Sequence, residues 1–289
     1  MFPRLFTLLA LFGCFSYSQP EFSTGDADSA LILTRDFLVA CPYRVSGTEG
    51  LKGAAEWISK RLRLHQGWLV SEQCFERNTP RGKTLFRNVL SAYRQAGCKR
   101  WILLLTHYDT KAGIANFTGA NDGGSSTGLM LQLVDVLTKQ PLRNHNVLVA
   151  FLDGEECFER YDEADGFQGS KALAVECRRK GWAVDAVILA DMIGDREFTL
   201  AVPSNVTPSL RTLAATCAGG NLHTYPFEIW DDHKPFMDLG FPAIDFIDFD
   251  YGPSNKYWHT AEDTFDKLGP EGYLRTGRTI LKMLRKLDR

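Results

Sequence analysis

Short apolar runs alternate with longer segments of helical periodicity from residue 100 to the end of the chain. The pattern predicts strands over 100–106, 146–152, 184–190 and 242–247. Helices are predicted between and after them, over 125–139, 168–180 and 208–217, in a short segment after Asp232, and at the basic C-terminal end. Alternating strands and helices pack as a sheet covered on both faces. The order therefore predicts an α/β fold of three layers, α/β/α, with a mostly parallel or mixed central sheet.

The segment before residue 100 adds two helices and a pair of strands. The spacing of apolar residues predicts helices over 27–40 and 47–66, followed by strands over 68–77 and 84–94. Residues 78–82, Asn-Thr-Pro-Arg-Gly, are typical of a turn between these strands. No internal repeat, low-complexity tract or linker interrupts the chain, so we expect a single domain over 19–289.

Composition excludes several classes of protein. The 33 lysines and arginines against 35 aspartates and glutamates leave a net charge of −2, without the basic excess that nucleic-acid binding requires. A hydrophobic content of 44% excludes a disordered chain. A chain of 289 residues is long enough to bury a large core without disulfides or metal staples.

The first residues have the pattern of a secretory signal. Arg4 precedes an apolar run over 5–15, and small residues follow, which predicts a signal peptide over 1–18 with cleavage after Ser18. The run is too short to span a bilayer, so no integral membrane segment is expected in the mature chain. We expect an exported protein, periplasmic or secreted. Lipid anchoring at Cys14 is the alternative, and the six other cysteines permit disulfides without predicting a pairing.

Acids and histidines gather where the predicted strands end. Most of them follow a core strand directly, one opens a helix and one comes after the last strand: His107, Asp109, Asp122, Glu155, Glu156, Asp191 and His259. In open α/β sheets, ligands bind in the crevice beyond the carboxyl ends of the strands. We therefore expect these residues to converge there.

The types of residue in this set indicate a metal site. Ionised carboxylates repel one another when they crowd together, so a cation has to hold them. Imidazole and carboxylate ligands without a thiolate suit zinc, which takes three protein ligands in catalytic sites and leaves one position open. His107 and Asp109 face the same way on a strand, which would let Asp109 hold the His107 ring. Glu155 and Glu156 can point apart, one toward a metal and the other toward a substrate.

Each motif taken alone also has a structural interpretation. The Asn-Asp-Gly-Gly segment at 121–124 is typical of a turn, the Asp-Gly-Glu-Glu segment at 153–156 of a solvated turn, and His259 of a partly buried packing residue. The order in which they occur together is what favours a site. The acidic run of Asp245, Asp248 and Asp250 is interpreted as lining a loop rather than binding metal.

The ordered set resembles the zinc-dependent aminopeptidase superfamily, and closer details resemble its glutaminyl cyclase branch, in a bacterial type. These details are four motifs: Asp153-Gly154-Glu155-Glu156-Cys157-Phe158, Gly169-Ser170-Lys171-Ala172-Leu173-Ala174, Asp231-Asp232-His233-Lys234-Pro235-Phe236, and Trp258-His259-Thr260 with Glu262-Asp263 behind it. The resemblance covers the chain from about residue 40 to the last helix. It implies the zinc exopeptidase fold, which is phosphorylase/hydrolase-like.

The resemblance also implies a role for particular residues. One zinc per chain would be bound by Asp122, Glu156 and His259. Glu155 would be the acid–base carboxylate, and Trp258 would wall the pocket for the glutamine side chain. Two further acids, Asp191 and Asp231, would support Glu155 through hydrogen bonds.

Two departures from the animal cyclases concern the pocket and its surroundings. Tyr161 stands where those enzymes place a pocket tryptophan, so that wall of the substrate pocket is altered. The cysteine pair that flanks their metal site is absent, since Thr106 precedes His107 and no cysteine follows Asp122 before Cys157. The absence of the pair is what gives the resemblance its bacterial character.

The implied activity is cyclisation of an N-terminal glutamine to pyroglutamate with release of ammonia, an acyltransferase reaction. The partners would be peptides or proteins with N-terminal Gln, and we expect a monomeric catalytic domain. The alternative is a two-zinc aminopeptidase that hydrolyses the N-terminal peptide bond. Its five ligands would be His107, Asp122, Glu156, Asp191 and His259, and all are present, so the ligand inventory leaves both open. An inactive relative that only binds peptides is a third hypothesis.

Overall fold

The structure is a computed structural model that describes residues 21–289. Six strands form its central sheet: β1 (Trp68–Thr79), β2 (Gly82–Tyr93), β3 (Arg100–His107), β4 (Asn146–Leu152), β5 (Ala183–Asp191) and β8 (Ala243–Ile247). Their order in the sheet is β1-β2-β4-β3-β5-β8. The pairs β1–β2 and β2–β4 are antiparallel, and the pairs from β4 to β8 are parallel. The prediction of a mixed sheet is confirmed.

Helices cover both faces of the sheet, which confirms the three layers. Their bounds are α1 (Thr24–Ala40), α2 (Glu49–Leu62), α3 (Ser126–Lys139), α4 (Gln168–Arg179), α5 (Pro208–Cys217), α6 (Lys234–Asp238) and α7 (Pro270–Leu287). The larger apolar core lies between one face and α1, α2, α3, α5 and α7, and the smaller between the other face and α4 and α6. Successive side chains of each central strand enter opposite cores, so these strands are apolar throughout.

Local sequence explains where several elements begin and end. Ser23 caps α1 in a capping box with Asp26, and prolines occupy the first turn of α5 and α7. The predicted turn at 78–82 is shorter than expected, because β1 and β2 pair up to Thr79 and Gly82 and leave only Pro80 and Arg81 in the loop. The short parallel pair β6 (Ala201–Val202) and β7 (His223–Thr224) was not predicted, because two residues carry no detectable periodicity.

The central helix α3 is buried on nearly all sides, as its apolar sequence predicts. It packs between the sheet and the helices α1 and α7. Gly128 makes the close approach to α1 possible, since a Cβ atom at this position would lie 2.1 Å from Thr34 Oγ1. The six cysteines of the described part of the chain are free thiols, four of them buried. No helix in residues 21–289 is both long and apolar enough to cross a membrane.

The parallel part of the sheet determines where the site forms. Because β3, β4, β5 and β8 run in the same direction, their carboxyl ends lie at one edge. His107 and Asp191 are the last residues of β3 and β5, and the loop after β4 begins at Asp153. The fold therefore brings together polar residues that are far apart in sequence.

Candidate active site

The predicted metal ligands meet at this edge as two sets of side chains. In the first set, His259 Nε2 lies 3.1 Å from Glu156 Oε1 and 3.4 Å from Asp122 Oδ2. In the second, His107 Nε2 lies 3.1 Å from Asp191 Oδ1 and 3.2 Å from Asp122 Oδ1. Within each set the candidate ligand atoms all lie within 4.8 Å of one another. Asp122 belongs to both sets, with one oxygen toward each.

The donor atoms of the first set fit a zinc ion. The set offers one imidazole and two carboxylates, which is a ligand combination of catalytic zinc sites. Asp122 Oδ2 is buried and makes no hydrogen bond with any described residue, as expected of an atom whose partner is an ion. Three protein ligands leave a coordination position open to substrate.

Asp122 is held in place through its backbone. It lies in the irregular turn Ala120–Ser125, immediately before α3. The carboxylate of Asp263 accepts the N–H groups of Asn121 (2.8 Å) and Asp122 (3.2 Å), and Tyr251 donates its hydroxyl to the same carboxylate (2.8 Å). Gly123 follows with a φ of +76°, and a Cβ atom there would lie 2.9 Å from His107 Cε1, so this position requires glycine.

The loop that carries Glu155 and Glu156 is anchored by Asp109. The Asp109 carboxylate accepts the backbone N–H groups of Glu155 (3.3 Å) and Glu156 (3.2 Å). We had expected Asp109 to hold the His107 ring. Its nearer oxygen does lie 3.5 Å from His107 Nδ1, but that nitrogen makes no hydrogen bond to a described residue. Asp109 therefore accepts hydrogen bonds from the loop, and also from Ser46 Oγ at 3.4 Å, rather than from the His107 ring. Strand spacing alone did not reveal this connection.

Burial and crowding shift the titration of the acids. Burial, and then the neighbouring charge of Glu156, raise the pKa of Glu155 well above its ordinary value. Burial, followed by Asp122, raises the pKa of Glu156. Burial opposes protonation of His107, but Asp191 and the other nearby acids outweigh it and raise its pKa well above the usual range. A carboxyl with a raised pKa at this position is suited to proton transfer near neutral pH.

The acids predicted to support Glu155 have other contacts. Asp191 Oδ1 accepts the N–H of Met192 (2.7 Å) besides lying near His107, and Asp231 accepts the N–H of Asp232. Within residues 21–289, the Glu155 carboxylate makes no hydrogen bond to either acid. Asp231 nevertheless raises the pKa of Glu155 through its charge, after burial and Glu156. The support visible in the structure is therefore electrostatic.

Asp245 is not a loop residue, and that interpretation of the acidic run is wrong for it. It lies in β8, fully buried, and neither carboxylate oxygen makes a hydrogen bond to a described residue. Burial, and then Asp231 and Asp191, raise its pKa well above the ordinary value. The alternation of side chains along a strand would predict the face of the sheet on which Asp245 lies. Only the order of the strands shows that this face brings Asp245 near Asp231.

A cavity of about 310 Å³ opens beside these ligands. Five residues predicted for catalysis or substrate binding line it: Glu155, Tyr161, Asp191, Asp231 and Trp258. The candidate metal ligands Asp122 and His259 also line it. Trp258 stacks on the His259 ring with 4.1 Å between centroids and meets Phe249 edge to face at 5.0 Å. The wall therefore presents an aromatic surface next to the ligand set.

Several lining residues were missed from sequence. The segment Phe227–Trp230 forms one side of the cavity, with Met192, Ile247 and Phe249. Lys111 was also missed: its Nζ lies 3.6 Å from Glu156 Oε2, and Tyr161 donates its hydroxyl to the same oxygen at 3.3 Å. Lys111 comes directly after the polar residues that end the first core strand. That position in the sequence was the one feature that could have indicated a place in the site.

Comparison with known proteins gives the family. Residues 88–284 match the family model for peptidase family M28. The glutaminyl-peptide cyclotransferase of Boiga irregularis is 28% identical over 271 residues, an alignment that covers 78% of this chain and 72% of the relative. The solved glutaminyl cyclase of an Acidobacteriales bacterium is 30% identical with a TM-score of 0.87, covering 96% of this chain and 99% of that one. The chain belongs to peptidase family M28, and within it to the glutaminyl cyclases.

The resemblance of the sequence motifs to glutaminyl cyclases is thus confirmed, and bacterial glutaminyl cyclases are among the similar structures. A solved structure named as a peptidase shares the fold. A leucine aminopeptidase precursor from Bacteroides thetaiotaomicron superimposes with a TM-score of 0.78 at 23% identity, covering 92% of this chain and 97% of that one. At that identity the likeness concerns the fold alone.

The anchoring of the glutamate loop generates a first prediction. Asp109→Ala leaves the N–H groups of Glu155 and Glu156 without their acceptor, which costs about 1–3 kcal/mol of stability for each buried group left unpaired. We also expect zinc affinity to fall roughly 10- to 100-fold, because Glu156 loses its support. Thermal unfolding and zinc titration would measure both. Asp109→Asn retains a carbonyl acceptor and should be milder, and equal effects of the two variants would contradict this role.

Proposed function

We propose that this glutaminyl cyclase acts on peptides and proteins with an N-terminal glutamine, which it converts to pyroglutamate with release of ammonia. The observation that carries the proposal is the position of Glu155. This buried acid of raised pKa lines the same cavity as Asp122 and His259 and the aromatic face of Trp258. The cyclase relatives support the same reaction.

One zinc ion, held by Asp122, Glu156 and His259, is part of the proposal. When bound, zinc polarises the side-chain carbonyl of the substrate glutamine and makes its carbon more electrophilic. Lys111 and Tyr161 contact Glu156 from the side and would fix its orientation. The two carboxylate ligands are buried, so water competes poorly for their oxygens.

The remaining steps need only residues of this chain. The α-amine of the substrate attacks the side-chain amide carbon of the same residue, so proximity is built into the substrate. Glu155 takes the proton from the attacking nitrogen and returns it to the departing ammonia. The new C–N bond closes the ring as the amide C–N bond breaks. The charge of Asp231 helps to keep the pKa of Glu155 raised, after burial and Glu156, and Trp258 and Tyr161 enclose the glutamine side chain.

One observation favours the two-zinc aminopeptidase as a second candidate. The set of His107, Asp122 and Asp191 offers a second ion the same kinds of ligand, and Asp122 would bridge the two ions. In that reaction Glu155 would activate a water molecule for attack on the peptide bond. The Asp231-Asp232-His233 segment and Trp258 favour the cyclase.

The two candidates differ in the product formed from a peptide that begins with glutamine. We expect mass spectrometry to show loss of one ammonia from the peptide, with the chain otherwise intact. Loss of the whole first residue would identify a peptidase instead. A metal-free sample, prepared with a chelator, should form no product until zinc is added.

The roles of Glu155 and His107 can be separated by substitution. Glu155→Gln keeps the shape of the cavity and removes the proton carrier, so kcat should fall roughly 10²- to 10⁴-fold while affinity for a competitive inhibitor changes little. His107→Ala should be much milder, with zinc content near one per chain, because His107 would ligate only a second ion. Steady-state kinetics and metal analysis give both readouts.

The aminopeptidase hypothesis predicts a different pair of results. Both variants would then lose activity severely, and His107→Ala would drop the bound zinc from two equivalents toward one. That outcome would overturn the one-zinc assignment. Retention of zinc by Glu155→Gln serves as the control that the ligand set has survived.

Export remains a proposal, since residues 1–18 and Cys14 lie outside the described residues. We propose that the protein is exported and that it acts as a monomer. Mass analysis of the purified mature protein should give an N-terminus at Gln19. A modified Cys14 at the N-terminus would support lipid anchoring, and a retained Met1 would contradict both.

A further inference from the structure

A second cavity of about 250 Å³ lies next to the catalytic one and has no part in the reaction described above. The loop over 157–167 forms one side of it, and the start of α6 forms the other. Two residues, Tyr161 and Trp230, line both cavities. The two cavities therefore adjoin at these aromatic side chains.

The Trp230 side chain is unusually exposed to solvent for a residue of its size. It is 55% exposed, and Phe227 at the same margin of the catalytic cavity is 49% exposed. Exposed aromatic surface beside a binding cavity is typical of a surface that a ligand covers. Lys234 Nζ lies 5.4 Å from the centre of the Trp230 ring, and Asp238 binds this ammonium at 2.8 Å, so the charge of Lys234 is already neutralised.

The lining of the second cavity holds three acids (Asp162, Glu163 and Asp238) against two lysines (Lys171 and Lys234), an excess of one negative charge. Lys171, its other lysine, donates to the backbone carbonyls of Asp162 (2.7 Å), Glu163 (3.1 Å) and Gly166 (3.0 Å), which ties its ammonium to the loop. The Glu163 side chain is exposed and makes no ion pair with any residue in 21–289. An anion at the margin, near the face of an exposed tryptophan, is suited to a cationic side chain.

Only the first residue of a substrate enters the catalytic cavity, so the chain behind it has to leave across the surface. Each further residue of an extended peptide advances about 3.3 Å, so the third and fourth residues lie roughly 7–10 Å beyond the first. We infer that the peptide segment after the N-terminal glutamine crosses Trp230 into the second cavity, where Glu163 favours a lysine or arginine at the third or fourth position. The inference rests on the proposed function.

Three amidated peptides test this preference: Gln-Ala, Gln-Ala-Ala-Lys and Gln-Ala-Ala-Glu. The unmodified enzyme should show a kcat/KM roughly two- to fivefold higher for the lysine peptide than for the glutamate peptide, the range expected of an exposed ion pair. The ratio should shrink as salt is added, because salt screens exposed charges. The Gln-Ala amide, which is too short to reach the second cavity, gives the reference rate.

Charge reversal at Glu163 provides the decisive variant. Glu163→Lys should invert the preference between the two longer peptides and leave the rate with Gln-Ala amide unchanged. The matched control is Glu56→Lys, another exposed glutamate, on α2, which packs on the opposite face of the sheet. We expect this control to keep the ratio of the unmodified enzyme. Trp230→Ala should lower kcat/KM more for the lysine peptide than for Gln-Ala amide.

The failures of the two proposals can be told apart. If all three peptides are cyclised with equal kcat/KM, and Glu163→Lys changes none of them, the second cavity does not bind substrate and the cyclase function stands. If no peptide is cyclised by the zinc-loaded enzyme, the proposed function itself is wrong. An equal change of the ratio in Glu56→Lys would also overturn the inference, since the effect would then come from net charge.

Discussion

The crowding of buried carboxylates at one edge of the sheet is the constraint on which the rest of this structure depends. Glu155, Glu156, Asp231 and Asp245 all have raised pKa values, first because they are buried and then because each lies near another acid. Such an arrangement is stable only if protons or a cation offset the charge. The two histidines and a metal ion would supply that offset.

The backbone around the site is arranged to hold these acids in place. Asp109 and Asp263 do not line the catalytic cavity. Each instead binds two successive N–H groups of a segment that carries ligands. Burial, and then the charge of Asp122, raise the pKa of Asp263 to about 7. The candidate ligands are thus oriented by acids behind them, a common feature of metal sites.

The shared Asp122 relates the two activities found on this fold. Because one of its oxygens faces each ligand set, the same side chains suit one ion or two. The catalytic cavity lies beside both sets. Trp258 and the segment Phe227–Trp230 narrow this cavity and leave aromatic surface at its margin. Under the proposed function, the part of a peptide that this cavity holds against Glu155 decides which bond reacts.

The sequence by itself determined the α/β order, the approximate bounds of the long helices and strands, and the polar residues at the strand ends. Those features follow from local periodicity and from the rule that ligands bind beyond the carboxyl ends of parallel strands. Tertiary structure decided which residues meet: Asp109 with the glutamate loop, Asp245 behind Asp231, and the segment Phe227–Trp230 beside the ligands. These contacts join residues tens of positions apart, and their distances depend on sheet order and loop paths, which local periodicity does not encode.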